Sequence, residues 1–258
     1  MRKHLVMAAA LSVAAVMIAA CGDAQPAAEK PSTVTVQGRP SPDALPTSPD
    51  VSPSSPAVAQ VQAPATVDGK APVIRHIKTD KPYVFITMDD GAVKDPAALQ
   101  MIKDSGARPT LFLNKKYFVE NPDYFKALQA AGADINDHTM THPNLRGKPY
   151  EFQRNEICGD ADAIQQTFGK RPTLFRPPFG NYDDNTQKAV ADCGMKAIVL
   201  WTAAVNDGVV QFQAGDKLKA GDIVLMHFRH TFAEDFQAFL NRAKQDGLTV
   251  VPLTDFLA

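Results

Sequence analysis

From residue 73 onward the chain alternates between two rhythms. Short apolar runs of strand length are separated by longer stretches in which apolar residues return every three or four positions. The runs predict strands at Tyr83–Met88, Thr110–Leu113, Ala133–Ile135, Thr173–Phe175, Ala197–Trp201, Ile223–Met226 and Leu248–Val251. The periodic stretches predict helices over Asp95–Ser105, Pro122–Ala131, Tyr150–Phe168, Asn185–Cys193 and Phe232–Gln245. Gly106, Gly132, Gly169, Gly194 and Gly247 each follow such a stretch, where a left-handed cap is wanted. Seven strands interleaved with helices indicate an α/β protein with a parallel sheet, and one domain of this size implies a barrel, closed or incomplete. In such barrels the chemistry lies at the strands' carboxyl ends.

The first 72 residues follow neither rhythm. Arg2 and Lys3 precede an apolar stretch, Leu5 to Ala20, too short to span a bilayer comfortably, and Ile18-Ala19-Ala20-Cys21 closes it. That closing sequence resembles the lipobox of bacterial lipoproteins, which implies cleavage before Cys21, acylation of its sulfur and an exported, membrane-anchored protein. A plain secretory signal or an uncleaved anchor also leads to export. Residues 22–72 lack aromatics and hold half of the chain's 20 prolines, so they read as a semi-extended tether that cannot bury enough apolar surface to fold. The single folded domain is expected over 73–258. A net charge of -1 offers no footprint for nucleic acid, and a monomer is the expectation.

The strand Tyr83–Met88 runs straight into Asp89-Asp90-Gly91. Adjacent carboxylates at a strand end repel each other and cost desolvation, so they persist where a cation or catalytic duty offsets that cost, although Asp-Asp-Gly also makes ordinary turns. After the third strand, His138 and His142 stand four apart and can reach one ion. With one carboxylate they would form a triad with open positions, the pattern of a catalytic metal. The Arg176-Pro177-Pro178-Phe179-Gly180 loop is stiffened by its prolines and offers a guanidinium able to hold a carboxylate ionised. His227 ends the apolar run Ile223–Met226, at the edge where an acid or base is wanted.

In this order and spacing, Thr-Met-Asp-Asp-Gly, His-Thr-Met-Thr-His-Pro, Arg-Pro-Pro-Phe-Gly and Ile-Val-Leu-Met-His resemble the polysaccharide deacetylases of carbohydrate esterase family four, over about residues 78 to 256. The resemblance implies a distorted (β/α) barrel, often with seven strands, and hydrolysis of N-acetyl groups from glucosamine polymers with a divalent metal, usually zinc, with cobalt, nickel or manganese as alternatives. It implies Asp90, His138 and His142 as ligands, Asp89 as the base, Arg176 orienting Asp89, and His227 as the acid. It also implies the Phe179 amide as an oxyanion donor, Leu225 beneath the acetyl methyl, and Asp207 as the carboxylate that keeps His227 protonated. The fourth motif departs from the family: Gly208 replaces its tryptophan and Ala204 its earlier aspartate, which unsettles the groove. Trp201 is weighed as a substitute wall against a packing role. The same site would cleave an O-acetyl ester, as on xylan, and a catalytically silent glycan-binding lipoprotein is the reading from another class. In an oxidising compartment Cys158 and Cys193 can pair across neighbouring helices.

Overall fold

The computed structural model describes residues 63–257. The expectations for the signal segment, for Cys21 and for the tether up to residue 62 lie outside the described residues. No helix among the described residues is long and apolar enough to cross a membrane.

Ten strands join one curled sheet: β1 (Val73–Ile74), β2 (Tyr83–Asp90), β3 (Thr110–Leu113), β4 (Asp134–Asp137), β5 (Leu174–Phe175), β6 (Ala197–Val199), β7 (Ala203–Asn206), β8 (Val209–Phe212), β9 (Ile223–His227) and β10 (Thr249–Val250). Their order is β1-β6-β5-β4-β3-β2-β9-β7-β8, with β10 also on β2, and only β7–β8 pairs antiparallel. The helices are α1 (Ala98–Ser105), α2 (Lys115–Phe118), α3 (Pro122–Ala130), α4 (Tyr150–Phe168), α5 (Asp184–Asp192) and α6 (Phe232–Gln245). The fold is therefore the expected α/β half-barrel. Its open side is spanned by β1 and the segment after it: Leu200 N–H donates to Ile74 O (2.8 Å) within the β1–β6 pairing, and His76 forms an isolated bridge with Asp222 where Ile77 N–H donates to Gly221 O (2.8 Å), just before β9.

Alternation along β2 sorts its side chains. Val84, Ile86 and Met88 join the apolar layer under α1, α3 and α6, while Phe85 joins the sheet interior with Phe112, Leu174, Ala197, Val199 and Ile223. Helix ends follow local chemistry. Asn121 caps α3 through Tyr124 N–H (3.3 Å), with Pro122 in the first turn, and Asp183 and Thr186 form a reciprocal capping box on α5. Asp95 accepts from Ala97 N–H (2.8 Å), so α1 begins three residues later than its periodicity suggests.

The three unforeseen strands have physical reasons. β1 is two residues long and pairs only with β6, too little for a periodicity signal. The β7–β8 hairpin turns on Asp207 (φ 51) and Gly208 (φ 72), a two-residue turn with both centres left-handed, the geometry Asp-Gly favours. The folded region also begins before residue 73. Ala71 is fully buried, its N–H donates to Gln187 O (3.0 Å), and Lys70 pairs with Asp184 (2.6 Å). Cys158 on α4 is bridged to Cys193 at the end of α5, with Cα atoms 5.2 Å apart.

Candidate active site

The carboxyl ends of β2, β4, β5 and β9 converge. β2 extends two residues beyond its apolar run and β9 one, so Asp89 and His227 are paired across the two strands. Asp89 belongs to the inward-facing alternation. Asp90 has φ 76, which turns the chain and carries its carboxylate toward the loop after β4. There Asp90 Oδ1 lies 3.5 Å from His138 Nε2 and 3.3 Å from His142 Nε2. One ligand atom from each of these three residues falls within 4.8 Å of the others.

Arg176 is fully buried beneath this cluster, and every donor nitrogen is used. Nη1 bonds Asp89 Oδ1 and Thr87 Oγ1 (both 2.7 Å), Nε bonds Val199 O (3.0 Å), and Nη2 bonds Leu200 O (3.4 Å). The guanidinium is held between the rings of Phe112 (4.3 Å) and Trp201 (5.5 Å). A buried cation fixed on all sides is what makes a nearly buried Asp89 affordable. Trp201, half-buried, thus packs on Arg176 and the Gly180 backbone. Leu225 is 5% exposed on the inward face of β9, one layer below His227.

The cluster passes a test for a metal on its own donor set. His138 Nδ1 donates to Arg176 O (2.7 Å), which leaves Nε2 as a lone-pair donor facing Asp90. Asp90 Oδ1 is buried with no hydrogen-bond partner among the described residues, as a ligand atom would be. Burial alone would raise Asp90, but the closeness and charge of His138, with His227 and His142 adding, hold its carboxyl at about 2. Burial lowers His138, yet Asp89, Asp90 and the Arg176 carbonyl outweigh it and raise the imidazole. Both directions mark a place where positive charge is stabilised. His142 is lowered by burial and by the neighbouring His138. The residues present fit one divalent cation with open positions.

His227 is lowered by burial, against the opposing pull of Asp89 and Asp90, and its Nδ1 is buried without a partner among the described residues. Asp207, expected to be its carboxylate partner, is instead an exposed turn residue of the β7–β8 hairpin, and no hydrogen bond or ion pair joins the two. The hairpin supplies the reason: the residues aligned with the family's fourth motif are used as strand and turn. Phe179 is 64% exposed, adopts φ 61, and stacks edge-on against His142 with centroids 4.7 Å apart. Its N–H has no protein acceptor among the described residues.

Sequence reasoning missed the residues behind the cluster. Asn114, Asp137, Glu156 and Asp160 are all buried. Asp137 and Asp160 lie close together, and burial raises both carboxyls, with the charge of Asp137 raising Asp160 further. Glu156 and Asp160, four apart on a helix, look in sequence like an ordinary solvated stripe. Only Asn114, directly after an apolar strand, carried a usable signal.

A half-open, mostly parallel sheet with an Asp/His/His cluster and a buried Asp–Arg pair at its carboxyl edge defines an α/β half-barrel with a candidate metal site. Residues 76–198 match the family model "Polysaccharide deacetylase". The chain is 41% identical over 194 residues to an uncharacterized protein of Streptomyces coelicolor, covering 72% of this chain and 77% of that one. It is 27% identical over 195 residues to the peptidoglycan-N-acetylglucosamine deacetylase PgdA of Listeria monocytogenes, covering 72% of this chain but only 41% of that relative's length. Among solved structures, a mutant of a family 4 carbohydrate esterase pseudoenzyme of Bacillus anthracis, with restored activity, superposes with a TM-score of 0.64 at 25% identity, covering 73% of this chain and 72% of that one. The chain belongs to the polysaccharide deacetylase family, and is a deacetylating hydrolase by that membership.

Proposed function

We propose that the protein removes N-acetyl groups from N-acetylglucosamine residues of cell-wall glycan, using a divalent metal held by Asp90, His138 and His142. The observation that carries this reading is the buried Asp89–Arg176 pair set beside that cluster and across from His227. Zinc is the natural match for two imidazoles and a carboxylate, and when bound it supplies Lewis acidity toward water and an acetyl carbonyl.

The chain's own residues account for the rest of the hydrolysis. Asp89 takes a proton from the attacking water, and Arg176 keeps that carboxylate ionised and aimed. The Phe179 N–H donates to the developing oxyanion. His227 delivers a proton to the nitrogen as the C–N bond breaks, so one water and one amide become acetate and a free amine. Leu225 supplies an apolar floor for the methyl. The Listeria relative supports peptidoglycan as the glycan. The start of the sequence supports export and a lipid anchor at Cys21, facing outward from the membrane.

Acetate release tests this. Chelated protein should be silent on peptidoglycan and chitooligosaccharide and regain activity with added zinc, cobalt, nickel or manganese. Release from acetylated xylan alone would overturn the N-deacetylase assignment, and undiminished release after chelation would overturn the metal.

A further inference from the structure

His138–His142 carries two of the three candidate ligands and has left-handed backbone at Thr139 (φ 74) and His142 (φ 64). Thr139 is β-branched, so such a φ is a genuine outlier that must be held from outside. All five N–H groups of the stretch are occupied. His138 donates to Leu113 O (3.2 Å) and Asp160 Oδ2 (3.3 Å), Thr139 to Asp137 Oδ1 (2.9 Å), Met140 to Glu156 O (3.1 Å), Thr141 to Glu156 Oε2 (2.9 Å), and His142 to Thr139 Oγ1 (3.1 Å). Three of these six bonds end on one helix, α4.

Glu156 is the most committed of those acceptors. Its Oε1 also receives the Thr141 hydroxyl (2.9 Å), so both of its oxygens serve one loop residue, and its side chain is buried rather than solvated. Asp160, one turn on, receives Lys115 N–H (2.7 Å) as well, which ties the segment after β3 to the same helix face. Between them Gly159 leaves room for Met140: a Cβ there would lie 2.6 Å from its Sδ. Cys158, next along, anchors α4 to α5 through the disulfide.

We propose that the buried face of α4 sets the geometry of the metal site, with Glu156 as the positioning residue that holds Thr141, and through it His142, in ligating position. This rests on Asp90, His138 and His142 being metal ligands. Removing Glu156 strands two donors of Thr141 and frees the loop to relax out of its left-handed turns. Partners of this kind behind ligands typically govern affinity by about 10- to 100-fold.

The test compares the full chain with Glu156→Ala, Glu156→Gln, Asp90→Ala and Asp246→Ala, reading zinc affinity by chelator competition, the visible spectrum of the cobalt-loaded protein, and the thermal midpoint. Asp246 is the control: it accepts from Arg242 Nε (2.6 Å) and Leu218 N–H (2.8 Å) at the far end of α6. Expected is a zinc affinity about 10- to 100-fold weaker in Glu156→Ala with an altered cobalt spectrum. Glu156→Gln, which keeps an acceptor oxygen, should fall between, and it carries the comparison alone if the alanine variant does not fold. Asp246→Ala should move only the midpoint. A lowered midpoint with wild-type affinity and spectrum in both Glu156 variants would overturn the positioning role. Zinc bound no more tightly by the wild type than by Asp90→Ala would instead remove the ligand assignment, and the proposal with it.

Discussion

At the amino ends of β2, β5, β6 and β9 the sheet interior is filled by Phe85, Leu174, Ala197 and Ile223 and plugged by Leu253 and Phe256. Phe256 meets Phe85 and Tyr83 edge-on, with centroids 5.0 and 5.7 Å apart. At the carboxyl end of the sheet sit Asp89, Arg176 and His227, and four of the six left-handed non-glycine residues found among the described residues: Asp90, Thr139, His142 and Phe179. One end is apolar and relaxed, the other charged and strained. Strain of about 1–3 kcal/mol per residue is sustainable only where the surroundings over-determine the backbone, and the packed end supplies the surplus stability.

Variants at each end should fail in different ways. The largest effect is expected for Asp89→Asn: deacetylation should fall by about 10²–10⁴, the range for loss of a general base, while the fold persists because Arg176 keeps a polar partner. Steady-state kinetics beside circular dichroism check this, and activity within tenfold of wild type would remove Asp89 from the chemistry. Next is Phe256→Ala, which should cost about 3–5 kcal/mol of stability in denaturant titrations while specific activity of the folded fraction is retained. Lost turnover at full folding would mean that the two ends are not separable.

A smaller effect sharpens the contrast through pH. Burial raises the folded-state carboxyls of Asp137 and Asp160 above their unfolded values, so their contribution is most favourable below the ordinary aspartate value near ~3.9 and is lost as pH rises through the folded values. Asp137→Asn should therefore gain stability relative to wild type as pH climbs from acid to neutral, read as the difference in thermal midpoint of metal-free protein. A difference that shrinks or stays flat would refute the raised carboxyls. The smallest effect is expected for Asp207→Asn. Asparagine suits the same turn, so midpoint and pH–rate profile should both stay at wild-type values. A shifted basic limb would restore Asp207 as a partner of His227.

The chain's rhythms determined the α/β class, the register of the apolar layers and the placement of Asp89, Asp90, His138, His142, Arg176 and His227 at strand ends, because period and strand polarity are local properties. Gly106, Gly132, Gly169, Gly194 and Gly247 were legible for the same reason, and all have positive φ. Tertiary structure alone decided the rest. Residues 203–212 became a hairpin because Asp-Gly turn chemistry prevailed over a motif alignment, and Asp207 left the site with it. Glu156 and Asp160 gained their places because α4 packs its acidic face inward against β4 and the loop that follows. Burial converts an unremarkable pair of helix acids into hydrogen-bond acceptors for a strained backbone, and burial is a property of the assembled fold, which spacing along one helix does not encode.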